Sequence, residues 1–149
     1  MAAKTEYGEL KEFNAIAKKI IDKQSEIFAV TDVDIFLSKI KCVSILNKER
    51  DDKEPYAVKG IADPIRMFCT CSYVATVYNS DWENYTDVQK EYIVFAILRR
   101  IPIVEAEEGK LIPLDYKDDS LMVRTFGPDW LNNSDLGALS NTSVEWKVD

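Results

Sequence analysis

A chain of 149 residues with 46% hydrophobic content suits one domain, and its lack of any histidine excludes every imidazole-based metal site or acid–base mechanism. With 26 acidic against 19 basic side chains the net charge is −7, which disfavours nonspecific binding to nucleic acid through a basic surface and suits solubility or a basic partner surface. No apolar run nears the ~20 residues of a membrane span, and the opening Met-Ala-Ala-Lys-Thr-Glu lacks the apolar centre of a signal peptide, so a cytoplasmic location with reduced thiols at Cys42, Cys69 and Cys71 is expected.

After a polar lead-in over residues 1–8, Leu10, Phe13, Ile16, Ala17, Ile20 and Ile21 recur at helical spacing, with Lys18, Lys19, Asp22 and Lys23 opposite. The pattern predicts an amphipathic helix that packs on the core and ends near Gln24 or Ser25. Val33, Ile35 and Leu37 alternate with Asp34, Phe36 and Ser38, the period-two pattern of a strand, and Cys42–Leu46 reads as a second strand or its continuation. The charged run Asn47–Glu54 reads as an exposed turn, because such residues bury poorly. Tyr56–Ile61 reads as a short strand stopped by Gly60.

Asp63 before Pro64 marks a turn or short helix crossing the sheet. Cys69-x-Cys71 is a weak metal pair, because Cys42 alone does not complete a tetrahedral set; buried thiols are the expectation. Tyr73, Ala75 and Val77 then alternate with Val74, Thr76 and Tyr78 in the most regular strand pattern of the chain. At an exposed sheet edge such a strand offers its backbone to an extended peptide, although natural edges are usually guarded. Asn79–Tyr85 reads as the link to the next helix.

That helix runs from Thr86 to Pro102. Thr86 and Gln89 form a capping box, Asp87 and Glu91 place negative charge near its start, and Arg99 and Arg100 place positive charge at its end. Pro102 stops it by pushing residue 101 out of the helical region. Ile93, Val94, Phe95, Ala96, Ile97, Leu98 and Ile101 leave almost no polar face, so the helix is expected at the centre of the fold. Ile103–Gly109 is acidic and turns at Gly109-Lys110; Glu105, Glu107 and Glu108 read as solvated carboxylates rather than an acid–base pair. Leu111–Leu114 reads as extended, and Tyr116–Phe126 as a further helix with Leu121, Met122 and Phe126 inward. Gly127 is its left-handed stop, with Pro128 following. Residues 132–149 lose periodicity and read as a partly flexible tail behind a single domain over residues 1–131. Val144 and Trp146 are its apolar points, docking on the domain or on a partner.

The frame resembles the small phage metallopeptidases, a family with a minimal zincin-like fold. In that family an aromatic-ended strand leads to a helix that opens Thr-x-x-Gln and runs Leu-Leu-Phe-His-Glu-Leu-Leu-His-Ile. A Pro-His-Asp segment, a further helix and Tyr-Gly-x-x-Trp follow. Here Ser72–Asn79 matches the strand, Thr86–Gln89 the cap and Ile93–Ile101 the metal helix; Ile112–Asp115 matches the Pro-His-Asp segment and Phe126–Trp130 the closing motif. The resemblance spans residues 10–131. It implies an α+β fold: a small mixed β-sheet packed against a central buried helix, with N-terminal and C-terminal helices.

The family's chemistry does not carry over. The resemblance puts its first zinc histidine at Ala96, its general-base glutamate at Ile97, its second histidine at Arg100 and its third at Leu114. Ala96 and Leu114 have no lone pair, Ile97 takes no proton, and Arg100 stays protonated and repels a dication. Only Asp115, neighbour of the third ligand in the family, matches. No catalytic residue, metal or cofactor is therefore expected. The reading is a catalytically inactive zincin-like protein, phage-encoded as its family context implies, that binds a host protein to inhibit or redirect it and contacts neither nucleic acid nor membrane. Trp82, Tyr85, Trp146 and the glutamates at 105, 107 and 108 are its candidate contact residues. The alternative is an acidic mimic of DNA. A hydrolase using a metal held by oxygen ligands such as Asp115, Asp118 and Asp119 comes last.

Overall fold

The protein, seen in a computed structural model, is described over residues 4–49, 55–103, 110–112, 120–127 and 129–147. β1 (Tyr7–Glu9) is followed by α1 (Phe13–Lys23), α2 (Val33–Ser38), β2 (Ile40–Ile45) and β3 (Tyr56–Gly60). A 3-10 turn at Ile65–Phe68, next to a cis Asp63-Pro64 bond, leads into β4 (Tyr73–Tyr78). α3 (Asn79–Trp82), α4 (Asp87–Arg99) and α5 (Ser120–Phe126) complete an α+β fold, with a last 3-10 turn at Trp130–Asn132.

The sheet order is β1-β2-β4-β3; β2 and β4 run parallel, and each edge strand is antiparallel to its neighbour. β4 is therefore interior rather than an edge, because both its flanks are taken by ladder bonds. Period-two alternation gives the sheet two chemically different faces. Tyr73, Ala75 and Val77 of β4 bury one face together with Cys42 and Val58. α1 and α4 cover that face: α1 contributes Phe13, Ala17, Ile20 and Ile21, spaced to share one side of a helix.

α4 begins as its sequence dictates. Thr86 Oγ1 accepts from the Gln89 amide at 3.1 Å, and Gln89 Oε1 accepts from the Thr86 amide at 2.9 Å. Every residue from Glu91 to Leu98 is buried, so α4 is the central element.

Several segments depart from the sequence reading, among them Asn79–Trp82, read as part of a link and found as the short helix α3. Val33–Ser38 is a helix, not a strand: Asp32 Oδ1 accepts from the Ile35 amide at 3.1 Å and caps it, which leaves Phe36 and Leu37 buried and Ile35 in solvent. Tyr7–Glu9, read as part of a polar lead-in, is a strand. It carries no apolar alternation, because Tyr7 and Glu9 are exposed and the half-buried residue between them is Gly8, beside the Leu46 side chain.

Among the described residues after 131 there is no regular structure beyond the Trp130–Asn132 turn, yet Leu139 and Trp146 are buried. Gln24 Nε2 donates to the carbonyls of Leu139 at 2.9 Å and Thr142 at 2.8 Å. Tyr92 Oη donates to Gly137 O at 3.0 Å, and Glu91 Oε1 accepts from the Ser140 amide at 2.9 Å. These bonds tie the segment across α1 and α4 as a strap. At Gly137 a Cβ would meet Thr142 Oγ1 at 2.7 Å, so any larger residue there has to displace that side chain. Gly127, at φ 90°, closes α5 in the left-handed conformation expected of it. The parts of the expected 47–54 turn, 104–109 link, 111–114 extended piece and 116–126 helix that cover residues 50–54, 104–109 and 113–119 lie outside the described residues.

Candidate functional site

α4 holds the positions where the resemblance would put a metal. Ala96 and Ile97 are both fully buried, packed in the core with no polar atom on either side chain. Arg100, one turn beyond Ala96, donates from Nε to the Ile112 carbonyl at 2.8 Å, while the Ile112 amide donates to the Arg100 carbonyl at 2.8 Å. This reciprocal pair fastens the chain at residue 112 beside the end of α4. Leu114 and Asp115 lie outside the described residues, as do Asp118, Asp119, Glu105, Glu107 and Glu108. Among the described residues no cluster of three or more Cys, Asp or Glu side chains is arranged to hold a metal ion.

Of the aromatic residues expected at a contact surface, the two tryptophans are buried and Tyr85 is half-buried. Trp82 is 3% exposed, its indole N–H donating to Glu12 Oε1, with Lys90 Nζ 5.3 Å above its ring. Tyr85 is half-buried with its ring edge-on to Trp82 at 6.2 Å. Trp146 is 8% exposed, stacked on Phe95 and edge-on to Phe126 at 5.4 Å. An indole brings more apolar area than any other side chain, and here each indole is worth more to the core than to solvent. The expectation of Trp82 and Trp146 as exposed contact residues is thus corrected, because both rings are packed in the core.

Of the thiols, Cys42 is buried on the inner face of β2, and desolvation pushes it up to about 12. Cys69 is exposed and Cys71 half-buried, against the expectation that all three are buried, because both follow the 3-10 turn at Ile65–Phe68 that stands off the sheet. Tyr92 is also raised to about 12, first by burial and then by the neighbouring Glu91 carboxylate.

The outer face of the sheet offers a surface instead. In register across it lie Lys41, Val74 and Lys59, then Val43, Thr76 and Ala57, with Glu9 beside Val43 on β1. The lysines are exposed and Val43, Val74 and Thr76 half-buried. Tyr7 on one side and Lys59 with the Ile61–Ile65 arm on the other wall a groove of about 570 Å³ over Val43, Val74 and Thr76, with Lys41 just outside its lining. Ile65 on the groove wall is exposed, and beyond it the chain exposes Met67 and Phe68, Phe68 to 86%. Large apolar side chains grouped in solvent mark interaction surfaces. Sequence reasoning missed these residues: alternation in β2 and β4 announces two faces, but which face the helices leave open is a tertiary fact.

Comparisons of the chain with protein-family models, curated proteins and solved structures found no match.

Proposed function

We propose that this protein is a zincin-like scaffold without a metal centre, phage-encoded, that works by binding a host protein. The observation that carries the reading is the state of α4. Its three positions corresponding to the zinc ligands and general base are filled by two fully buried hydrocarbons and a guanidinium committed to the Ile112 carbonyl. Zinc of this type needs two nitrogens one helical turn apart and a third ligand. The reciprocal Arg100–Ile112 bonds support the scaffold half of the reading, because they set the start of the segment expected to carry the third ligand beside the position of the second.

Binding is supported by what the surface exposes. The open sheet face and the apolar arm at Ile65, Met67 and Phe68 offer the kind of area a protein partner covers. That area favours a protein partner over mimicry of DNA, which needs carboxylates spaced like phosphates. Affinity capture with the full-length chain from a host lysate, read by mass spectrometry, tests the reading. One host protein recovered in near-equal amount, with its activity changed by the purified chain, is the expected result. Recovery of no protein above background, together with peptide cleavage by the chain, would overturn it.

A further inference from the structure

The register of the sheet sets what its open face presents. Lys41 of β2 and Lys59 of β3 are both paired with Val74 of β4, so one apolar side chain stands between two ammonium-bearing ones. Neighbouring strands lie ~4.8 Å apart, which sets the two lysine α-carbons about 10 Å from each other. Both lysines are exposed and neither has a charged partner among the described residues. The next row, Val43–Thr76–Ala57, carries no charge on β2, β4 or β3 and continues on β1 as the exposed Glu9, the one carboxylate in these two rows, beside Val43 on the Lys41 side. A molecule of net charge −7 thus shows, on its open sheet face, an apolar floor flanked by cations.

We propose that this groove receives one amphipathic helix of a protein partner, laid along β4, with its apolar stripe on Val74, Thr76, Val43 and Ile65 and a carboxylate on each flank reaching Lys41 and Lys59. The proposal rests on the protein-binding reading above and names its site and the chemistry of its partner. The dimensions fit: a helix with its side chains is about 10 Å across, the separation of the two lysines. The charges fit as well. Covering Val74 takes water from both ammonium groups, and a partner without anions would leave them buried and unpaired. A bilayer is the other surface that is both apolar and anionic, but an acidic molecule is repelled from anionic lipid.

The test is selection of a helical-peptide display library on the full-length chain, with binders then measured by fluorescence anisotropy. Enriched peptides are expected to carry Asp or Glu on both flanks of an apolar stripe. Lys59→Glu, a substitution of an exposed side chain, is expected to weaken them by at least about tenfold. Val74→Asp is expected to abolish binding, and Lys23→Glu on α1 to leave it unchanged, all three variants keeping the wild-type circular dichroism spectrum. No enrichment, enrichment of basic flanks, or binding indifferent to Lys59→Glu and Val74→Asp would overturn the proposal. So would concentration-dependent dimerisation that Val74→Asp dissolves, which assigns the face to a second copy. Co-sedimentation with phosphatidylserine vesicles that Lys59→Glu abolishes would overturn it too, in favour of lipid. A host protein captured equally by the wild-type and Val74→Asp chains would sink this site while leaving the binding function standing.

Discussion

The indole of Trp146 lies flat on the ring of Phe95, with centroids 5.1 Å apart and planes 8° from parallel. Phe95 belongs to the buried middle of α4 and meets Phe28 edge-on at 5.3 Å on another side. The C-terminal stretch therefore closes the core, and its tryptophan is a structural residue before it is a contact. Trp146→Ala should lower unfolding free energy by about 3–5 kcal/mol, the range for emptying a buried aromatic site. Equilibrium urea denaturation measures it. A loss under 1 kcal/mol (roughly the level of a surface change) would place the ring outside the core.

Gln24 holds the same strap by hydrogen bonds. Its amide serves the carbonyls of Leu139 and Thr142 at once, from a site in α1's C-cap that is itself buried. Gln24→Leu keeps the volume and removes both donors, so it should cost about 1–3 kcal/mol through the carbonyls left unmet. Amide hydrogen exchange should then quicken over residues 137–142 ahead of the sheet. Uniform exchange across the whole chain would mean that the strap and the core do not open separately.

Ala96 tests how tightly the centre of α4 is packed. A histidine placed there meets core on all sides, because Ala96 has no exposed surface. Ala96→His should destabilise the protein by about 1–3 kcal/mol through overpacking, and more if the imidazole finds no partner. Thermal melts with and without zinc check this. A neutral effect would reveal a cleft beside the helix.

Alkali should unfold the protein through two buried acids. Cys42 and Tyr92 both have folded-state values raised to about 12, so each favours its neutral form in the native state. The stability this contributes is fully present below the unfolded values, 9.0 for the thiol and 10.0 for the phenol, and is lost as pH rises through about 12. Denaturation midpoints taken from pH 8 upward should hold steady and then fall across that window. Cys42→Ala should flatten the lower part of the fall, and an unchanged curve would remove the thiol from the account.

What could be read from the residues alone was what is local. The Thr86–Gln89 box, the apolar run behind it, the alternation of Tyr73–Tyr78 and the Gly127 stop each depend on neighbours within a turn or two, and each is found in place. Val33–Ser38 went the other way because alternation over so few residues fits either element, and Asp32 in front of it was the decisive signal. The Gln24 bonds to Leu139 and Thr142 span 115 and 118 positions, and no local pattern announces them. For the same reason the burial of Trp82 on Glu12 was hidden, and the row Lys41–Val74–Lys59 emerged only from strand order.

The middle of α4, from Ile93 to Leu98, is buried hydrocarbon packing. Whether a metal nevertheless binds there is decided by native mass spectrometry of the purified full-length chain in excess zinc, paired with a peptide-cleavage assay with and without chelator. The expected result is the mass of the bare chain and no chelator-sensitive cleavage. One zinc ion retained per chain, with hydrolysis that a chelator stops, would contradict it.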